Sequence, residues 1–103
     1  MVYEYQLVIE FEGDDLEVFD RVVAAEESLS EALSLDLVDG HDVGQGIVNI
    51  FIHTNEPQRC FEEAMRVIEG AKLSPSGGAY RSFEENDYVR LWPKNDPTPF
   101  TLR

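Results

Sequence analysis

The sequence predicts an α/β domain of the α+β kind, with one antiparallel sheet carrying two helices on a single face. Three observations predict it. Apolar and polar residues alternate over 3–11, apolar residues recur at helical spacing over 16–33 and again over 61–71, and short strand-like runs lie between and after those stretches. At 103 residues the chain is one domain, 1–103, with an irregular tail from about 93.

The first strand is read from Tyr3, Tyr5, Leu7, Ile9 and Phe11, which alternate with Glu4, Gln6, Val8 and Glu10, and Gly13 ends it. Asp14 and Asp15 then open a helix, because either carboxylate can cap the free amides and both complement the helix dipole. Leu16, Phe19, Val22, Val23, Leu29 and Leu33 form its apolar stripe, which runs to about Ser34. Leu35 to Val38 is expected to be a short second strand, 39–46 a glycine-rich loop and Ile47 to Thr54 a third strand. Val48, Ile50 and Ile52 share one face of that strand; Asn49, Phe51 and His53 share the other.

Thr54, Asn55 and Pro57 mark a second helix start. Phe61, Ala64, Met65, Ile68 and Ala71 give its buried stripe, and Gly70 is its expected stop. Ser74 to Gly78 is a loop. Ala79 to Phe83 and Tyr88 to Trp92 are two further strands, joined by a turn at Glu84 to Asp87. The order strand, helix, strand occurs twice. Two such units pack as a ferredoxin-like βαββαβ plait with an extra C-terminal strand. Helices then cover one sheet face and leave the other open to a partner, a ligand or the C-terminal hairpin.

Composition narrows the function. Twenty-one Asp and Glu against eight Lys and Arg give a formal charge of −13. That field repels nucleic-acid phosphates and anionic lipid and attracts basic proteins. The acidity is spread along the chain and does not form a tail, so it does not read as disorder. No apolar run reaches the length of a membrane span, and Met1 to Tyr5 lacks the basic start of a signal peptide. Cys60 has no second cysteine to pair with, which suits a reducing cytoplasm.

The candidate site is Asp39-Gly40-His41-Asp42-Val43-Gly44-Gln45-Gly46, read as a tight polar connection feeding a central strand. Asp39, His41 and Asp42 carry oxygen and nitrogen donors, but their spacing matches no established metal loop, so no metal and no cofactor is expected. The glycines fit neither a dinucleotide fingerprint nor a phosphate cradle before a helix. They equally suit turn and bulge chemistry.

Glu26 falls in the middle of the first helix's apolar stripe, where a carboxylate needs a partner. Either the helix bends near Ala25 and Glu26 points to water, or the carboxylate reaches His41 or an amide of the 39–46 segment. Glu26, Asp39, His41, Asp42 and Asn49 are therefore the candidate binding residues. Tyr80, Tyr88, Arg90 and Trp92, the basic–aromatic cluster of an acidic chain, are candidate interface residues. The bland alternative is that these aromatics finish the core while the arginines pair with glutamates. Cys60 and the serines sit in no nucleophile motif, so no catalytic residue is assigned.

The string Val38 to Gly46, with Asn49-Ile50-Phe51-Ile52, Thr54 and Pro57, resembles a pattern from small, acidic, uncharacterised bacterial proteins. The Glu26 helix and the Leu91-Trp92-Pro93 end are similar to the same set. The resemblance implies a bacterial cytoplasmic ferredoxin-like domain, of a size and charge at which some proteins act as inhibitors or immunity partners. It hands over no catalytic residue. The leading expectation is a non-enzymatic acidic module that binds a basic protein, a nuclease being one such target. The alternatives are a small enzyme or metal- or ligand-binding domain using the 39–46 segment, and a homodimer that buries the open sheet face.

Overall fold

In a computed structural model that describes residues 2–13 and 15–102, seven elements follow one another. They are β1 (Tyr5–Glu12), α1 (Leu16–Ala32), β2 (Leu37–Gly44), β3 (Ile47–Thr54), α2 (Pro57–Gly70), β4 (Gly77–Ser82) and β5 (Val89–Trp92). The five strands form one sheet in the order β2-β3-β1-β4-β5, and every neighbouring pair is antiparallel. The fold is thus α+β, with β1 at the centre of the sheet.

Alternation in β1 and β3 decides which face is buried against what. Leu7, Ile9 and Phe11 stand opposite Ile52, Ile50 and Val48, and together they meet Val22, Ala25 and Leu29 of α1 and Phe61, Ala64 and Ile68 of α2. Burying each such side chain contributes about 1.5–3 kcal/mol, so this layer dominates stability. The opposite face holds a second, smaller cluster. Val8 and Ala79 lie beneath Phe100, with Phe51 and Tyr88 packed beside them.

That second cluster accounts for the C-terminal segment. Arg90 donates to the carbonyls of Trp92, Thr98 and Pro99 at 2.9, 2.7 and 3.4 Å, and its guanidinium lies over the Phe100 ring. Asp96 accepts from the Thr98 amide at 2.9 Å, which holds its carboxyl below the usual range. The tail from about 93 is irregular yet fastened, and it covers part of the face that the helices leave bare.

Helix α1 begins as its cap dictates. Asp15 is the N-cap and its Oδ1 accepts from the Val18 amide at 2.8 Å; Asp14 lies outside the described residues. Leu16, expected in the buried stripe, is 73% exposed. It is the first helical residue, where side chains lean back toward the N-terminus and overshoot the layer beneath. Ala71, also expected to be buried, is exposed because it caps α2 rather than continuing it. Lys72 then takes φ +60 and returns the chain so that Leu73 re-enters the core.

The expected loop at 39–46 is largely strand. Pairing with β3 runs from Leu37 to Gly44, opposite His53 to Ile47, with a bulge between Val38 and Gly40. Only Gln45 and Gly46 remain as the turn, with φ of +53 and +77, the left-handed pair that a two-residue hairpin needs. The turn-forming composition of the segment is real, but ladder pairing against an apolar neighbour overrides it.

Candidate functional site

The sequence-predicted residues separate onto the two faces of β2. His41 stands opposite Ile50 and faces the helices. Its Nδ1 lies 2.9 Å from Oε1 of Glu26, and its ring meets Phe19 edge-on at 5.7 Å. The Glu26 side chain is 15% exposed, and its Oε2 is buried with no hydrogen-bond partner among the described residues. Helix α1 therefore runs unbroken past Ala25, and Glu26 turns toward β2 from within the apolar stripe.

Asp42 and Asn49 lie elsewhere. They stand opposite each other in the ladder, and Asn49 in turn stands opposite Glu10 of β1. The row Asp42, Asn49, Glu10 thus crosses three strands on the face away from the helices. Asn49 is 1% exposed and Glu10 is buried as well; Ser76 donates to Glu10 Oε1 at 2.8 Å. Only Asp42, at the edge strand, opens to solvent. Asp39, at the bulge, lies 3.5 Å from Nε2 of His53, whose ring also meets Phe83 and Tyr3. The five candidate residues form three small groups around β2.

The C-terminal cluster also divides. Tyr80 meets Tyr5 edge-on and packs on the main core, where Trp92 joins Phe61 and donates Nε1–H to the Pro75 carbonyl at 3.2 Å. Tyr88 and Arg90 work on the other face, against Phe100. All four are half-buried, as expected for residues that finish cores. The arginines differ from expectation. Arg90 holds carbonyls, and Arg81 donates to Gln6 Oε1 at 3.2 Å and to the Glu85 carbonyl at 3.0 Å.

One polar assembly was not foreseen. Asp36, fully buried at its side chain in the link from α1 to β2, receives both terminal nitrogens of Arg59 at 2.9 and 3.2 Å and the Thr54 hydroxyl at 2.6 Å. Arg59 also engages Glu56 and Glu63 along α2. Donating these hydrogen bonds to Asp36 holds the guanidinium firmly protonated. Burial, with Asp36 nearby, pushes the Cys60 thiol up to about 12. The spacing of Glu56, Arg59 and Glu63 on one helix was a readable signal. The burial of Asp36 was not. The assembly ties the link that follows α1 to the start of α2 and leaves Arg59 no free fork for a ligand.

No group of three or more His, Cys, Asp or Glu side chains among the described residues is arranged to hold a metal ion. No helix among them is long and apolar enough to cross a membrane. In comparisons with known proteins, the chain matches no family model, no curated sequence and no solved structure.

Proposed function

We propose that this chain is an acidic protein-binding module that engages a basic protein, as an inhibitor or immunity-type partner does, from the bacterial cytoplasm. The observation that carries the reading is the surface of β2. Asp39 and Asp42 are exposed there beside Leu37 and Val43, which are 47% and 52% exposed, on a chain of net charge −13. Exposed carboxylates set among apolar side chains offer a cationic partner both steering and contact area. Glu26 and His41 meet on the helix side of the same strand. The architecture in this reading is a ferredoxin-like plait with β5 added outside β4. The order of the first four strands, β2-β3-β1-β4, and the helix after β1 and after β3 support it. The lone buried Cys60 suits a reducing compartment.

Capture of basic proteins from bacterial lysate, at low and at high salt, tests this function. The expected result is a basic protein retained at low salt, released at high salt, and lost by an Asp39→Lys, Asp42→Lys double variant. Capture of nothing at low salt, or capture unaffected by that variant, would sink the reading. A second reading rests on the His41–Glu26 contact, since a carboxylate-oriented imidazole is half of an acid–base apparatus. A small enzyme or ligand-binding domain of that kind would be stabilised thermally by a metal ion or a metabolite, and the effect would vanish in His41→Ala. A homodimer through the sheet face is disfavoured by the chain's charge and by Phe100, which already occupies part of that face.

A further inference from the structure

We infer that the outer edge of β2 accepts an extended, lysine- or arginine-bearing segment of the partner as a sixth strand; this rests on the acidic-partner reading above and specifies its mode. The sheet has two edges, and they differ. β5 is four residues long, ends at Trp92 just before Pro93, and is followed by the tail that Arg90 fastens back. Those are the devices by which an edge is closed to pairing. β2 is eight residues long, pairs on one side with β3, and has no strand on its other side among the described residues. A strand of that length presents a row of backbone donors and acceptors over roughly 26 Å.

The chemistry of the edge selects the occupant. Antiparallel pairing of Gly40 to Gly44 with the same stretch of a second copy would set Asp42 directly against Asp42, and would bring together two chains of charge −13. Asp42, with Asp39 beside it at the bulge, favours a strand with cations at the facing positions. The bulge between Val38 and Gly40 interrupts the ladder, so continuous pairing is offered from Gly40 to Gly44. A Cβ built at Gly40 or at Gly44 meets nothing within 4 Å, so the sheet faces at both positions leave room for the side chains of an incoming strand. Leu37 and Val43, half exposed on opposite faces of the strand, supply apolar contact at either end. The segment that fits is therefore short, extended and basic, with apolar residues alternating between its cations.

The test uses the full chain and two synthetic peptides. One alternates lysine with valine and threonine over seven residues. The other has the same sequence with every backbone nitrogen methylated, which keeps its charge and removes the strand-pairing donors of both edges. Amide exchange across Leu37 to Gly44 and peptide affinity are both measured at low salt. The first peptide is expected to slow exchange in that stretch about tenfold and to bind about tenfold more tightly than the methylated one. The Asp39→Lys, Asp42→Lys variant is expected to lose the effect. Equal binding of the two peptides would overturn strand addition while leaving the acidic-partner reading intact. Exchange that slows with protein concentration alone would place a second copy on the edge and overturn the proposal. If neither peptide binds although a basic protein is still captured, the edge is not the docking site. If neither peptide nor any basic protein binds, the acidic-partner reading itself has failed.

Discussion

Glu26 is the residue whose environment is most at odds with its chemistry. One carboxylate oxygen meets His41 at 2.9 Å and the other is buried without a partner among the described residues. Removing one partner of a polar pair is costly when the group left behind stays buried, but the His41 side chain is 31% exposed and can turn to water once the desolvated Glu26 carboxylate is gone. Glu26→Leu is therefore expected to raise stability by about 1 kcal/mol. His41→Ala is expected to cost about 1–3 kcal/mol, since it strands the carboxylate. Chemical denaturation of both variants checks the order. If Glu26→Leu is the more damaging, the pair itself stabilises the fold, and if Glu26→Leu keeps partner binding, Glu26 is no part of the site. Cys60 gives a second residue-scale prediction. Its thiol is buried and displaced from 9.0 up to about 12, so in the folded chain it stays protonated at neutral pH. Alkylating reagents are expected to react only as fast as the chain opens. The unfolded thiol ionises at lower pH than the folded one, so its contribution is fully present below about 9 and is lost as pH rises toward 12. Comparing the pH dependence of unfolding with that of Cys60→Ala isolates this, the variant having the flatter alkaline limb.

At the scale of elements, close approach of α2 to the sheet depends on one missing side chain. A Cβ at Gly78 would stand 2.8 Å from Cε1 of Phe61 and 3.4 Å from Cβ of Trp92. Phe61 is a buried ring that joins α2 to β4, so it has little room to retreat. Gly78→Ala is expected to cost about 1–3 kcal/mol through overpacking, read as a lower midpoint in urea with an unchanged slope. A neutral result would mean that the helix can lift off the sheet at no cost. The elements themselves were legible because period two in β1 and β3 and period 3.6 in the helices come directly from burial on one face. The segment 39–46 was misread for a physical reason. Asp39, Gly40, Asp42 and Gly44 are turn formers by local preference, and what makes them strand is pairing with Val48 and Ile50, which no local pattern records. Helix periodicity placed Glu26 in the apolar stripe but left open whether it met water or the 39–46 segment, and the contact with His41 was one of those alternatives. The separation of His41 from Asp42 and Asn49 was not legible, because it depends on the register across the bulge. Asp36 was invisible in the same way: nothing in its neighbours announces that Arg59, on the second helix, will close over it.

For the whole molecule, charge and fastening pull in different directions. The net charge is −13, and several of the few cations are committed to neutral acceptors. Arg21 donates to the Lys72 carbonyl at 2.7 Å, Arg81 to Gln6 and to the Glu85 carbonyl, and Arg90 to three carbonyls that hold the tail. Those bonds tie α1 to the end of α2 and the C-terminal segment to the sheet, but they pair no carboxylate with its cation. The acidic surface is therefore left to repel itself, which costs stability and at the same time sustains the field that would draw in a basic partner. Screening separates the two effects. Near 0.1 M salt the Debye length is about 10 Å, and near 1 M it is about 3 Å, short enough to silence repulsion between exposed carboxylates while leaving the buried Asp36–Arg59 pair intact. Moving the chain from low salt to molar sodium chloride is expected to stabilise it by about 1 kcal/mol, a rise of roughly 4–8 °C in Tm for a domain of this length. Calorimetry or circular dichroism would record it. A fall in Tm would mean that surface ion pairs, not repulsion, govern the folded state. The salt that strengthens the fold must then weaken its capture of a cation-bearing segment, so a chain whose stability rises with salt while its binding falls has its acidity placed for recognition.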